Sequence, residues 1–164
     1  MARRIVPCLW FNNTAKEAVD FYLSVFKDGR ILSMDRYTEV GEEITGHKAG
    51  DIVAIEFEIR GTPFLALNAG PEFAFNPSVS FTVECASQAE IDYYWERLSA
   101  RPEAEQCGWL QDRFGLSWQI LPERLNEMLQ KGSPEQRKRV TEAYMAMKKF
   151  DLARLEEAYG RNAG

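Results

Sequence analysis

The sequence predicts an α+β fold of two similar halves, each with the order strand–helix–strand–strand–strand, followed by helices at the C-terminal end. Three observations predict this fold. A strand–glycine–strand pattern occurs twice, at 55–67 around Gly61 and at 109–121 around Gly115. A Ser/Thr-x-x-Glu motif, typical of a helix start, precedes each pattern. Residues 123–164 instead repeat their apolar positions at helical spacing.

The composition is typical of a globular protein. The 164-residue chain is 45% apolar and 27% charged, which suits one core or two small modules. Its net charge of −5 argues against a nucleic-acid partner, because such proteins usually present basic surfaces. No apolar run is long enough to span a bilayer and no secretory signal is recognisable, so we expect no membrane partner and a cytoplasmic location. The spacing of Cys8, Cys85 and Cys107 suits neither zinc nor a disulfide framework, so we expect reduced thiols.

The first half begins with a strand that leads directly into a helix. Thr14 and Glu17 have the spacing of a capping box, so a helix is predicted to start there. Its apolar side chains share one face at positions Ala15, Ala18, Val19, Tyr22, Val25 and Phe26. The predicted strands of this half are 5–11, 30–38 and the two arms of 55–67. The polar connection 39–51 contains His47, which we expect to be exposed.

The second half follows the same plan. Its first strand, 78–85, alternates Val79, Phe81 and Val83, expected toward the covering helix, with Ser78, Ser80 and Thr82 on the opposite face. Ser87 and Glu90 have the capping-box spacing that starts a helix. The remaining predicted strands are a short one near 103–107 and the two arms of the Gly115 hairpin, 109–114 and 117–121.

An internal repeat relates the two halves. A shift of 73 residues places Thr14 on Ser87, and a shift of 54 places Gly61 on Gly115. The expected organisation is one compact domain made of a module at 1–69, a linker at 70–77, a module at 78–122 and a helical extension at 123–164. A sheet with one covering helix cannot bury both faces, so we expect the modules to pair.

The helical extension is predicted from its helix start and stop signals. Pro122 opens a helix that Gly132 ends, and Ser133 with Gln136 forms the capping box of the next helix. Asp151 is positioned to cap a last helix. The apolar positions expected to pack are Val140, Tyr144, Met147, Leu152, Leu155 and Tyr159.

Long motifs in this order resemble one known family. The segments PCLWF, EAVDFY, FLALNAGPEFAFN, SVSFTVEC and CGWLQDRFGLSWQILP are similar to those of PhnB-like proteins, a family labelled demethylubiquinone methyltransferase-like. That family belongs to the glyoxalase/bleomycin resistance/dioxygenase, or vicinal oxygen chelate, superfamily. The resemblance extends over nearly the whole chain, including the C-terminal helices. It implies βαβββ modules with cupped mixed sheets, a homodimer, and a divalent metal held by His or Gln and Glu from the first and last strands of each module.

The residues at those metal positions are poor ligands. Gln119 stands on the closing strand of the second module, and the repeat places Leu65 at the matching position of the first. The position often held by His falls near Ser78, and Cys8 is the only other donor on the opening strands. Because a metal needs three or four good donors, we expect no metal and no other cofactor.

The expected ligand is a small molecule of unknown identity, bound in the sheet cup. The candidate ligand-binding residues are Gln119, Ser78, Ser80, Thr82, Asn68, Cys8 and Phe75. For Gln119 and Asn68 a purely structural role is also open, since buried amides are usually hydrogen-bonded by their own protein. The aromatic side chains of Phe73 and Phe75 in the linker, with Tyr144, Met147 and Tyr159 in the extension, favour a homodimer.

Two functional classes remain open at this point. One is a binding protein without the usual metal, and the other is an enzyme of the glyoxalase/dioxygenase superfamily with an atypical active site. The methyltransferase label has no support, because neither half has the glycine-rich strand-to-helix turn that binds nucleotide-type cofactors. No catalytic residue is assigned.

Overall fold

The computed structural model describes residues 5–40, 42 and 46–160. Residues 41 and 43–45 of the predicted polar connection lie outside this range. The chain divides into two compact units, Met1–Phe75 and Asn76–Gly164. Each unit has a mixed sheet, and the second also has the C-terminal helices, so the predicted α+β class is confirmed. Within the described residues, no helix is both long enough and apolar enough to cross a membrane.

The first unit is a four-stranded sheet covered on one face by a helix. Its elements are β1 (Cys8–Asn12), α1 (Ala15–Val25), β2 (Arg30–Arg36), β3 (Ile52–Ile59) and β4 (Thr62–Ala69). The strand order is β1-β4-β3-β2, with β1 parallel to β4 and the other pairs antiparallel. The predicted apolar stripe of α1 is buried, and Arg60 and Gly61, both at positive φ, make the two-residue turn between β3 and β4.

The second unit contains a three-stranded sheet. Its elements are β5 (Ser80–Cys85), α2 (Gln88–Leu98), β6 (Trp109–Gln111) and β7 (Ser117–Pro122). The order is β5-β7-β6, with β5 parallel to β7. The strand predicted near 103–107 is wrong: Pro102–Ala104 is a 3-10 helix, and Gln106 forms only a single bridge with Trp109. Proline lacks the N–H of a ladder, so the chain turns there instead.

The extension forms three helices with their own core. These are α3 (Glu123–Lys131), α4 (Pro134–Met145) and α5 (Leu152–Gly160). The Ser133–Gln136 capping box is present, and the Asp151 carboxylate accepts from Arg154 N at 3.1 Å, so both predicted caps are confirmed. The buried core of the extension comprises Leu125, Met128, Val140, Met147, Phe150 and Leu155.

The extension also completes the turn that precedes β6. The N–H groups of Cys107 and Gly108 donate to Met147 O and Lys148 O at 2.9 and 2.8 Å. Gly108 has φ +82°, and a side chain there would collide with the ring of Phe150. The absence of a side chain at Gly108 therefore allows this close contact between turn and extension.

Candidate functional site

The sheet of the second unit has one apolar and one polar face. The β-ladder registers place Phe81, Val83, Leu110, Trp118 and Ile120 on the face against which α2 packs. The opposite face, called the polar face below, carries Ser80, Thr82, Gln111, Ser117 and Gln119, with Glu84, Trp109 and Leu121 at its margins. The alternation predicted for Gln119 and Trp118 is therefore confirmed. It follows from the period of two that governs side chains on strands.

Hydrogen bonds on the polar face leave some groups open. Gln119 Nε2 donates to Ser80 Oγ at 2.8 Å, and Gln111 Nε2 donates to Ser117 Oγ at 3.4 Å. Among the described residues, Gln119 Oε1 and the exposed Thr82 hydroxyl have no protein hydrogen-bond partner. Because a hydroxyl both donates and accepts, either amide orientation of Gln119 leaves one amide group available.

Ser78 does not belong to the polar face. The strand begins at Ser80, and Ser78 lies in an exposed turn where its N–H and hydroxyl both donate to Asn76 Oδ1. Val79 is 62% exposed and does not join the apolar face as predicted. An asparagine that accepts from the amide two residues later stabilises a local turn, and this turn replaces the first two predicted strand positions.

Asn68 links three parts of the first unit. Its Oδ1 accepts from Ala15 N at 2.9 Å and its Nδ2 donates to Ile52 O at 3.0 Å. Tyr37 donates its hydroxyl hydrogen to Asn68 O at 2.9 Å. The side chain is 8% exposed, and both amide groups bind protein atoms. This arrangement gives Asn68 a structural role, and its contact with a ligand stays a prediction.

Cys8 lies on β1, beside Leu65 of β4. The residue is exposed overall, but partial burial of the thiol raises its pKa. A raised pKa keeps the sulfur in its neutral form, which is a poor nucleophile and a poor metal ligand. Ligand contact by Cys8 stays a prediction.

The linker aromatics pack on β1 of their own unit. Phe75 makes an edge contact with Phe11 at 5.3 Å between ring centroids, and Phe73 does so with Trp10 at 4.9 Å. Phe75 is partly buried, whereas Phe73 is 66% exposed. The contact with Phe11 gives Phe75 a packing role, so ligand binding by Phe75 also remains a prediction.

His47 is not simply exposed, as the sequence suggested. Its ring is partly buried and stacks on Tyr37, with centroids 4.5 Å apart and an interplanar angle of 11°. Tyr37 N donates to Asp51 O and Gly50 N donates to Tyr37 O. The histidine therefore helps to hold the connection between β2 and β3.

Asp112 is a residue that sequence reasoning missed. Its side chain is fully buried, and its carboxylate accepts from Phe114 N, Leu116 N and Trp118 Nε1 at 2.8, 3.1 and 2.9 Å. These bonds fix the β6–β7 connection and the indole ring of Trp118, the residue that precedes Gln119. An aspartate three residues before a turn glycine was the available signal, because such residues often organise turns.

Comparison with known proteins identifies one matching family. A sequence model of the family described as 3-demethylubiquinone-9 3-methyltransferase matches residues 3–121. The chain belongs to this family. One similar structure, from Bacillus cereus, is described as a putative 3-demethylubiquinone-9 3-methyltransferase, PhnB protein. It is 30% identical over 73% of this chain and 99% of that chain, and the TM-score is 0.60. No curated protein sequence matches.

More distant structures share the fold. Protein PA1353 from Pseudomonas aeruginosa is 21% identical over 74% of this chain and 98% of that one, with a TM-score of 0.53. The fosfomycin resistance protein FosX from Mesorhizobium loti is 16% identical over 80% of this chain and 100% of that one, with a TM-score of 0.50. The PhnB-like fold of the vicinal oxygen chelate superfamily is thereby established. The family match ends at residue 121, so the expected resemblance of the C-terminal helices is not supported by it.

The residues of this PhnB-like chain do not fit the metal that the superfamily implies. At the positions where the superfamily places its metal ligands, the donors are the Gln119 amide, already bonded to Ser80, and the Cys8 thiol, whose pKa burial raises. In the part of the chain that the structure covers, no three His, Cys, Asp or Glu side chains form a group suited to a metal ion. A stable divalent site needs three or four such donors.

Proposed function

We propose that this PhnB-like chain binds a small polar molecule on the polar face, without a divalent metal. The observation that carries the proposal is the pair of open groups at its centre. Gln119 keeps one amide group free beside the free hydroxyl of Thr82, and the two residues are direct neighbours across β5 and β7. Convergent polar groups of this kind orient small ligands in protein sites.

The surroundings of these groups indicate the chemistry of the ligand. Trp109 is paired with Gln119 across β6 and β7 and is partly buried, so its indole supplies an aromatic surface beside the amide. The central side chains are neutral, so they match hydrogen-bonding groups without a formal charge. The ligand is therefore a neutral hydrogen-bonding molecule with an apolar or aromatic part that packs on Trp109.

Fluorine NMR of fluorotryptophan-labelled protein tests the proposal. The chain has four tryptophans, and a Trp109→Phe variant assigns the signal of interest. A library of neutral, aromatic hydrogen-bonding compounds is screened for hits that move the Trp109 signal. Hits must lose this effect in Gln119→Leu and retain it in Gln130→Leu, a matched change on an exposed helix position. A library without any such hit, or hits insensitive to Gln119, would contradict the proposal.

Metal independence is a separate part of the proposal. The donor set argues against a site in the sheet, so elemental analysis after mild purification is expected to find no stoichiometric divalent metal. Added Mn²⁺ or Zn²⁺ is expected to leave the affinity of a hit unchanged. One tightly held metal ion per chain would overturn this part.

Methyl transfer does not form part of the proposed function. The strand-to-helix connections are Asn13-Thr14 in the first unit and Ala86-Ser87 in the second, and neither contains glycine. The backbone of such connections needs glycine to approach a nucleotide-type cofactor closely.

A cytoplasmic homodimer completes the proposal. The described cysteines are all free thiols, in keeping with a reducing compartment. Of the expected dimer residues in the extension, Met147 instead lies in the buried core, and Tyr144 and Tyr159 pack partly buried against it. The edge strand β2 exposes Ile31 and Leu32, which favours a contact there with a second copy. Light scattering is expected to give twice the chain mass, and Leu32→Lys to give the monomer.

A further inference from the structure

We propose that Trp10, Glu72 and Phe73 form a second binding site, specific for a quaternary or heavily alkylated ammonium group. These three residues are called the aromatic corner below. All of them belong to the unit Met1–Phe75, so the aromatic corner uses none of the residues of the polar face. Its ligand also differs in chemistry, because it carries a positive charge.

The two rings of the aromatic corner stand almost at right angles. The centroids of Trp10 and Phe73 are 4.9 Å apart and the interplanar angle is 79°. The edge of one ring meets the face of the other, so a cation beside this contact lies close to both rings. Ring faces attract cations through the quadrupole of the π-system, and tryptophan is the strongest of the aromatic side chains in this respect.

The corner is held in place by backbone contacts. Trp10 Nε1 donates to Gly70 O at 2.9 Å, which fixes the orientation of the indole. The carboxylate of Glu72 occupies the space that a side chain on Gly70 would fill. Gly70 therefore brings the indole and the carboxylate to the same short segment, and Phe73 follows directly in sequence.

The free carboxylate favours a cation. Within the described residues, Glu72 has neither a hydrogen bond nor an ion pair, unlike Glu58, which pairs with Arg30 at 3.1 Å. Phe73 is 66% exposed, so the corner is open to a ligand. An open carboxylate at Gly70, the residue whose carbonyl binds the Trp10 indole, supplies together with the two rings the groups that recognise a cation with a bulky, weakly hydrated surface.

This chemistry selects alkylated ammonium over a simple ammonium ion. Methyl groups on nitrogen spread the charge and form van der Waals contacts with both rings, whereas a lysine-type ammonium is compact and strongly hydrated. Protein groups of this kind recognise choline-like ligands and methylated lysine. The structure thus assigns a ligand class from the geometry of one turn and one strand.

Choline chloride is the probe for the test, at constant total salt, with fluorine NMR of fluorotryptophan-labelled protein as the readout. Trp10→Phe assigns the relevant signal. The comparison ligand is the neutral carbon isostere of choline, in which a tert-butyl group replaces the trimethylammonium group. Choline is expected to shift the Trp10 signal saturably in the millimolar range, and the isostere is expected to bind about tenfold more weakly.

Variants separate this site from general apolar binding. Phe73→Leu and Glu72→Gln are each expected to weaken choline binding about threefold to tenfold, and both positions are exposed enough to leave folding intact. Tyr93→Leu is the matched control, because that ring is already covered by the Arg97 guanidinium at 3.8 Å, and it is expected to change nothing. Equal binding of choline and isostere, or no effect of Phe73→Leu, would overturn the proposal. A Trp10 signal that does not respond to choline would also overturn it.

Discussion

Asn68 Oδ1 accepts a hydrogen bond from Ala15 N at 2.9 Å, although the two residues are 53 positions apart. The bond caps the first turn of α1 from the end of a neighbouring strand. The capping box predicted for Thr14 is absent, since the Thr14 side chain makes no capping hydrogen bond. A tertiary contact has thus taken the place of a local one, and it ties the helix to the sheet that the helix covers.

Substitution of Asn68 tests which residue caps α1. Asn68→Ala removes the cap and leaves the carbonyl of Ile52 without its donor, so a loss of about 2–3 kcal/mol in unfolding free energy is expected. Thr14→Ala is expected to cost less than about 0.5 kcal/mol. Urea unfolding of both variants measures the difference. A larger effect at Thr14 than at Asn68 would contradict this assignment of the cap.

Asp112→Asn tests the buried turn of the second unit. The change replaces one carboxylate oxygen by a donor in a site surrounded by three N–H donors, so one donor loses its partner. A loss of about 2–4 kcal/mol is expected. The control is Asp20→Asn, where an exposed pair with Lys16 is expected to contribute less than about 1 kcal/mol. Equal stability losses in the two variants would show that the three bonds of Asp112 are not critical.

Gly108→Ala tests the contact between the extension and the β6 turn. Alanine there combines positive φ with a collision against Phe150, so a cost of about 2–4 kcal/mol is expected. Gly61→Ala shares the positive φ but faces open space, and about 1 kcal/mol is expected. Thermal or urea unfolding compares the two. Similar losses of unfolding free energy in the two variants would mean that Phe150 of the extension does not pack closely against Gly108.

The Cys8 thiol is expected to react slowly at neutral pH. Because partial burial raises its pKa, the thiolate fraction at a given pH is smaller than in the unfolded chain. The rate of alkylation by iodoacetamide, followed at Cys8 by mass spectrometry, is expected to reach half its maximum at a higher pH in the folded protein than in urea. A midpoint equal to the unfolded value would contradict the effect of burial, and a midpoint below it would make Cys8 an activated thiol and would reopen nucleophilic chemistry there.

Local sequence patterns predicted most of the fold. The hairpin at Gly61 and the caps at Ser133 and Asp151 depend on residues a few positions apart, and these predictions are confirmed. The side of the sheet reached by Gln119 was also predictable, since strand alternation fixes it once the strand is known. The prediction of a strand near 103–107 failed because Pro102 starts a 3-10 helix there, and the polar segment that follows has no strand alternation to oppose it.

The parts of the site that were missed depend on contacts distant in sequence. The cap from Asn68 and the perpendicular rings of Trp10 and Phe73 appear only when the chain returns to α1 and β1. Ser78 was placed on the wrong element because an Asn76 turn replaces the start of the strand. Nothing in the alternation of residues 78–85 reveals that turn, whereas the Asn76-Pro77 pair does indicate one.

The measurement that tests the central claim most directly is the affinity of a small-molecule hit, by calorimetry, for Gln119→Leu and Gln130→Leu beside the parent chain. Because Gln119 is partly buried and bonds only to Ser80 among the described residues, its removal is expected to leave the unfolding temperature nearly unchanged. Affinity is expected to fall about tenfold in Gln119→Leu and to stay constant in Gln130→Leu. Unchanged affinity in Gln119→Leu, or unfolding of that variant, would contradict a binding site on the polar face.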